Sequence, residues 1–304
     1  DSQNYSVVHQ LSRPRNITSV AWGQRMGAVQ RFLAIGDEDA KVVILKPELD
    51  GINAGVSSVN GDDNSATSYF SNRGDWVMKE NLFQIADGTA AEDIADTSIE
   101  TSESQALVAP GTEEPIVSVA FSSRGSKYNP SSFFATSSED GLVVVRSCAD
   151  WKVVAEIQFP EPVRHMQFSS GSQYLALGCD DANIYVSDTT SNWDLVAKIE
   201  FTAAISSVCF SGKNSERLAV GSVDGTLAFL LPQNGFDFAG EIEEYDSPVT
   251  SVDWSSENLA VGREDGTVAV YDSAHVMDDI FESVADLQRG APVSAVSFGV
   301  STRF

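Results

Sequence analysis

Basic residues are scarce in this chain. Nineteen lysines and arginines stand against 44 aspartates and glutamates, a formal net charge of −25. A surface with that balance repels phosphate backbones and anionic lipid headgroups, so neither direct nucleic-acid binding nor membrane binding is expected. A basic protein or peptide would be attracted. Cysteine is scarce too. Cys148, Cys179 and Cys209 are odd in number and lack metal-ligand spacing, which argues against both a disulfide framework and a zinc site. Cys179 and Cys209 lie in apolar segments, where a free thiol packs as a small hydrophobe, and this favours a reducing compartment. No apolar run approaches the roughly 18–20 residues that span a bilayer. No signal-peptide pattern is visible. The expected location is intracellular, cytoplasmic or nuclear.

The parts of a catalytic site are also missing. The three histidines, His9, His165 and His275, fall in different segments, with no His-x-x-x-His or Cys-x-x-Cys pair. There is no glycine-rich phosphate loop and no nucleophile elbow. The chain is therefore expected not to be an enzyme, and to use no cofactor and no metal. At 304 residues and 42% hydrophobic it can still bury a substantial core.

What the chain does have is repetition. A turn phrase recurs as "GDEDAKVVIL", "SSEDGLVVV", "GCDDANIYV", "GSVDGTLAFL" and "GREDGTVAVY". Its aspartates are Asp39, Asp140, Asp181, Asp224 and Asp265, spaced by 101, 41, 43 and 41 residues. An aspartate before glycine accepts backbone hydrogen bonds and tolerates turn geometry, so these are read as structural turn residues. A second phrase precedes each turn: "ITSVAW", "IVSVAF", "VRHMQF", "ISSVCF", "VTSVDW" and, near the end, "VSAVSF". Apolar residues alternate there with smaller or polar ones and an aromatic closes the run, the period-2 pattern of a strand with one packed face. Between the two phrases lie "FLAIG", "FFATS", "YLALG", "RLAVG" and "NLAVG". After the turn run comes a fourth candidate, such as "WKVVAEIQF" or "WDLVAKIEF". Each unit thus reads as four short antiparallel strands at a spacing of about 41–47 residues. One such sheet buries too little alone, and several packed radially make a β-propeller.

These units resemble WD40 repeats. The resemblance covers nearly the whole chain, in pattern rather than in full signature. The family's Trp-Asp ending is approximated by Tyr271-Asp272 and more loosely by Ser187-Asp188. The Gly-His before the first strand is absent, and Pro14, Pro115, Pro162, Pro248 and Pro292 stand near its place. The family's side-chain network of Asp, His, Ser/Thr and Trp cannot be complete here. Only the turn aspartate carries over, so blade packing is expected to lean on apolar contacts. The implied fold is all-β, a WD40-type propeller forming one domain over residues 1–304, with five complete four-stranded blades. Partial strands, "YSVVHQL" at one terminus and "VSAVSF" at the other, suggest a fragment of a six- or seven-bladed propeller.

Two stretches interrupt the repeat. Residues 49–74 are Gly-, Ser- and Asn-rich and read as a long loop. Residues 86–114 carry eight acids and no lysine or arginine, a composition that cannot repay its ordering entropy, so both are expected to be mobile insertions. The second is either a tolerated surface insertion or an acidic docking arm open to kinases.

The resemblance also implies that the loop between second and third strands shares a face with the loop entering the first. The residues before the turn aspartates would then ring that face: Glu38, Glu139, Asp180, Val223 and Glu264. A turn needs one acid, not two in succession, and a repeated like-charge pair would steer a Lys- or Arg-rich segment inward. Arg15 and Arg164, from the loops entering first strands, join Glu38, Glu139, Asp180 and Glu264 as candidate partner-binding residues. The alternative is that these are solvated turn acids, or acids paired internally with the few arginines. The expected function is a non-enzymatic scaffold that holds a basic protein or peptide within a larger complex. The competing expectation is a regulatory or catalytic propeller of an enzyme, with its site in the central channel.

Overall fold

The computed structural model describes residues 16–24, 31–38, 41–47, 76–80, 107–108, 114–122, 132–149, 151–211, 215–239, 243–277 and 282–298. Five antiparallel sheets follow one another along the chain. The first holds β1 (Ile17–Gln24), β2 (Arg31–Asp37), β3 (Lys41–Pro47) and β4 (Trp76–Glu80), with β5 (Leu107–Val108) also paired to β3. The second is β6 (Ile116–Phe121), β7 (Phe133–Ser138), β8 (Leu142–Ser147) and β9 (Val153–Gln158). The third is β10 (Val163–Phe168), β11 (Tyr174–Cys179), β12 (Asn183–Asp188) and β13 (Leu195–Glu200). The fourth is β14 (Ile205–Phe210), β15 (Leu218–Ser222) and β16 (Thr226–Leu231), completed by two short pieces, β17 (Asp237–Phe238) and β18 (Glu243–Glu244). The fifth is β19 (Val249–Trp254), β20 (Asn258–Arg263), β21 (Thr267–Asp272) and β22 (Ser283–Gln288).

Each sheet is a meander of first to fourth strands, the order of a propeller blade. First strands lie against first strands: β1 on β6, β6 on β10, β10 on β14 and β14 on β19. Among the described residues no comparable contact joins β19 to β1. Burial follows from this stacking. The second strands β7 and β15 are buried along their whole length, whereas β22, a fourth strand, is exposed throughout. The fold is not purely β, since a short helix α1 (Ser273–Met277) joins β21 to β22. His275 lies in this helix.

The first strands do not alternate simply. In all five sheets the pairing of first to second strand shifts by one residue, between Ile17 and Ser19, Ile116 and Ser118, Val163 and His165, Ile205 and Ser207, and Val249 and Ser251. A bulged residue turns its side chain away from the strand's normal alternation. Here the bulge brings the first and fourth positions of each phrase to one side. Ile116 and Val119 both lie against Gly36 of the sheet before, where a Cβ would stand 2.7 Å and 3.4 Å from their methyl groups. Ile205 and Val208 close on Gly178 in the same way, at 2.6 Å and 3.3 Å. The glycine that ends "FLAIG" and "YLALG" thus lets the next sheet approach. In the second sheet Ser137 takes that place, and its hydroxyl donates to the Val163 carbonyl at 2.6 Å.

Serine at the third position ties the same seam. Ser19, Ser207 and Ser251 accept hydrogen bonds from the Val119, Val252 and Val296 amides at 3.1, 3.0 and 3.1 Å. The segment "VSAVSF", expected to be a first strand, is not paired into a sheet. It runs instead beside β19, where the Phe298 amide also donates to Asp253 at 2.6 Å. No second strand pairs with it among the described residues; the Val293 amide donates to the Arg263 carbonyl at 3.2 Å, and Val293 and Val296 pack against Gly262. At the other end of the stack, Ile17, Val20 and Trp22 are 46%, 58% and 60% exposed, although their counterparts Ile116 and Val119 are buried.

Aromatics on the loops between third and fourth strands pack backwards onto the preceding sheet. Trp193 meets Phe133 edge-on at 4.8 Å, and Phe236 meets Tyr174 at 5.1 Å. Both adopt left-handed backbone, with φ of 66° and 68°.

Residues 1–15 and 299–304, Asp39, and the loop 49–74 lie outside the described residues, as does most of 86–114. "YSVVHQL", His9 and Arg15 fall there. Within the second insertion, Leu107–Val108 forms β5, a strand rather than a mobile segment.

Candidate functional site

The four turn aspartates that can be described share one geometry. The amides of Leu142, Asn183, Thr226 and Thr267 donate to Oδ1 of Asp140, Asp181, Asp224 and Asp265 at 3.1, 3.0, 3.0 and 2.8 Å. Each side chain closes its own turn through Oδ1. Gly141, Gly225 and Gly266 follow with φ of 81°, 93° and 87°, and Ala182 adopts the same left-handed form at 63°. Asp181 gains a further bond from the Tyr185 hydroxyl at 2.7 Å. Burial pushes the Asp224 carboxyl up, but hydrogen bonds from Thr202 and Thr226 outweigh it and hold the group down at about 2.

The residue before each turn aspartate is fixed by its backbone. The amides of Glu38, Glu139, Asp180, Val223 and Glu264 donate to the carbonyls of Asn16, Pro115, Pro162, Ala204 and Pro248, at 3.3, 2.9, 3.0, 3.1 and 3.0 Å. Each acceptor immediately precedes a first strand. The two loops therefore do meet on one face, where Asp180, Val223 and Glu264 lie with the bulged residues Arg164, Ser206 and Thr250.

The side chains then diverge. Arg164 reaches across the seam between the second and third sheets. Its Nη1 and Nη2 donate to Glu139 at 3.2 and 2.9 Å, and its Nε donates to Asp180 at 2.6 Å. The hydrogen bonds to Glu139 raise the Arg164 pKa further, with burial opposing and Asp180 reinforcing them. Glu38 stands apart and accepts from Asn16 Nδ2 at 2.9 Å. The Glu264 carboxylate has no hydrogen-bond or ion-pair partner among the described residues.

Asp180, Val223 and Glu264 converge on a cavity of about 420 Å³ between the third, fourth and fifth sheets. The bulged residues Arg164, Ser206 and Thr250 line it, and Ala204, Val223 and Pro248 supply an apolar wall. The Thr250 hydroxyl is spent on the Gly262 carbonyl at 3.0 Å, whereas the Ser206 Oγ is buried without a partner. His165 also lines the cavity, and burial pushes its imidazole down to about 4, so it is neutral at physiological pH. Of the sequence-predicted residues, the structure brings together Glu139, Asp180, Arg164 and Glu264. Reading the first-strand phrase as plain alternation left Ser206 and Thr250 unnoticed, and His165 was weighed only as a catalytic or metal-binding group. The signal was present: apolar residues at the first and fourth positions, three apart, do not fit an unbroken strand.

Residues 237–272 match the family described as WD domain, G-beta repeat. The chain carries a WD40 repeat. The matched window runs from β17 through β21, so one WD40 unit takes the end of one sheet and three strands of the next. It contains Tyr271-Asp272, the best approximation to the WD40 ending. The remaining four sheets repeat the same strand order, consistent with WD40-type blades. No curated protein matches the chain. Among the described residues no group of three or more His, Cys, Asp or Glu side chains is placed to hold a metal ion. No helix among them is long and apolar enough to cross a membrane.

Proposed function

We propose that this chain is a non-enzymatic WD40 scaffold that holds a basic segment of another protein on its turn face, as part of a larger intracellular complex. WD40 domains serve generally as platforms for protein interaction. The observation that carries the finer reading is the cavity at the junction of three sheets, with an apolar wall and an unspent carboxylate, Glu264, at its edge. A cleft of this volume falls in the range of binding sites, and the low density of basic residues leaves most of the surrounding field negative. The Ser206 hydroxyl has no hydrogen-bond partner, so it is not held by His165 as a nucleophile is held by its base.

The test is joint charge reversal, Glu139→Lys, Asp180→Lys and Glu264→Lys, in the full chain. Binding of a lysine-rich peptide, followed by fluorescence anisotropy at several salt concentrations, should weaken at least tenfold and lose its salt dependence. Unchanged affinity in the triple variant would refute the proposal.

A further inference from the structure

The acids of the turn face are not equally available. Arg164 sits on the β10 bulge, and its guanidinium already does to Glu139 and Asp180 what a partner's arginine would do, with three N–H donors at 2.6–3.2 Å. Both acids are partly exposed, at 41% and 27% of their side-chain surface, so the pairing is at the face itself and not beneath it. In the fourth sheet the pre-turn position is Val223, which carries no charge. Glu264, on the far side of Val223, is the pre-turn acid at this cavity without a partner. Between it and Arg164 lie the apolar wall and the unspent hydroxyl of Ser206.

We infer that Arg164 is a built-in occupant of the acidic face, which closes Glu139 and Asp180 to a basic partner and confines recognition to one lysine or arginine side chain in the cavity. The aliphatic stem of that side chain lies on Ala204, Val223 and Pro248, and its charge meets Glu264. This inference rests on the function proposed above. The physical argument is an exchange. A cation arriving at Glu139 or Asp180 must displace Arg164, so the ion pair gained is offset by the one lost, and exposed pairs are weak to begin with. At Glu264 nothing is displaced. Arg164 thus acts as a specificity device: it makes a face that looks polyvalent in sequence behave as monovalent.

The experiment compares two labelled alanine-rich peptides, one with a single lysine and one with four consecutive lysines, against the full chain. In the wild type, Glu264→Gln should weaken both peptides about three- to tenfold, whereas Glu139→Gln should leave both unchanged. Arg164→Gln frees two acids, so the four-lysine peptide should bind about two- to tenfold more tightly, with a steeper salt dependence, and the single-lysine peptide should not change. Adding Glu139→Gln to Arg164→Gln should remove part of that gain. Circular dichroism reports whether Arg164→Gln folds. If it does not, the Glu139→Gln and Glu264→Gln comparison in the wild-type background still decides. Equal losses from those two variants, or a four-lysine affinity that Arg164→Gln leaves unchanged or weakens, would overturn the inference while the broader function stands. No binding of either peptide to any of these proteins would overturn both.

Discussion

The close approach at Gly178 makes a quantitative prediction. Its backbone lies outside the left-handed region, so alanine is conformationally acceptable there and would by itself stabilise the fold by about 0.4–1 kcal/mol through the unfolded chain. A Cβ at this position, however, stands 2.6 Å from Ile205 Cγ2 and 3.2 Å from its Cβ. Such overpacking typically costs about 1–3 kcal/mol. Gly178→Ala should therefore destabilise the chain by about 1–2 kcal/mol. Ile205 is 1% exposed, so Ile205→Ala alone should cost about 2–5 kcal/mol by leaving a cavity. In the double variant the offending methyl is gone and the new alanine partly fills the space. The double loss should fall short of the sum by about 1–3 kcal/mol. Urea unfolding followed by tryptophan fluorescence measures all four proteins, with equal m-values confirming that the same surface is exposed in each. Additivity to within about 0.5 kcal/mol would show that the sheets do not meet at this glycine, and the account of the seam would fail.

Further outcomes follow from the same geometry. Ile116→Ala should cost about 2–5 kcal/mol and Ile17→Ala less than about 1, although both open the same phrase, because Ile116 is buried against Gly36 and Ile17 is 46% exposed; parallel urea titrations decide it. Burial lowers His165 from its ordinary value near 6.5 to about 4, so the stability it contributes is complete above pH 6.5 and is lost as pH falls from there toward 4. His165→Gln should flatten the stability profile across that interval, and an unaltered slope would contradict the assignment. Asp224 is held at about 2, so its contribution is complete above about pH 4 and disappears between 4 and 2. Asp224→Asn should reduce the acid dependence in that window, only slightly because the turn is open to solvent, and thermal unfolding at graded pH would detect it.

The repeat carried most of the fold on its own. The spacing of Asp140, Asp181, Asp224 and Asp265, with an apolar run after each, determined the hairpins, because a turn aspartate acts on the amide two residues ahead and needs no distant partner. Four strands per unit followed from period-2 patterning for the same local reason. The turn face was legible as well, since each pre-turn residue is fixed by a backbone bond to its own blade. What the sequence could not settle was everything that crosses a seam. The bulge at Thr18, Val117, Arg164, Ser206 and Thr250 exists because Ile or Val at the first position must join the fourth on the side facing the preceding sheet. The backward packing of Trp193 and Phe236 likewise depends on a neighbour far away in the chain. The candidate site shows the difference most clearly. Composition made Glu139, Asp180 and Glu264 look alike. Only the tertiary structure distinguished them, by setting the Arg164 guanidinium between two of them and leaving Glu264 beside an apolar cavity, because contact between charges is decided by distance across sheets and not by position along the chain.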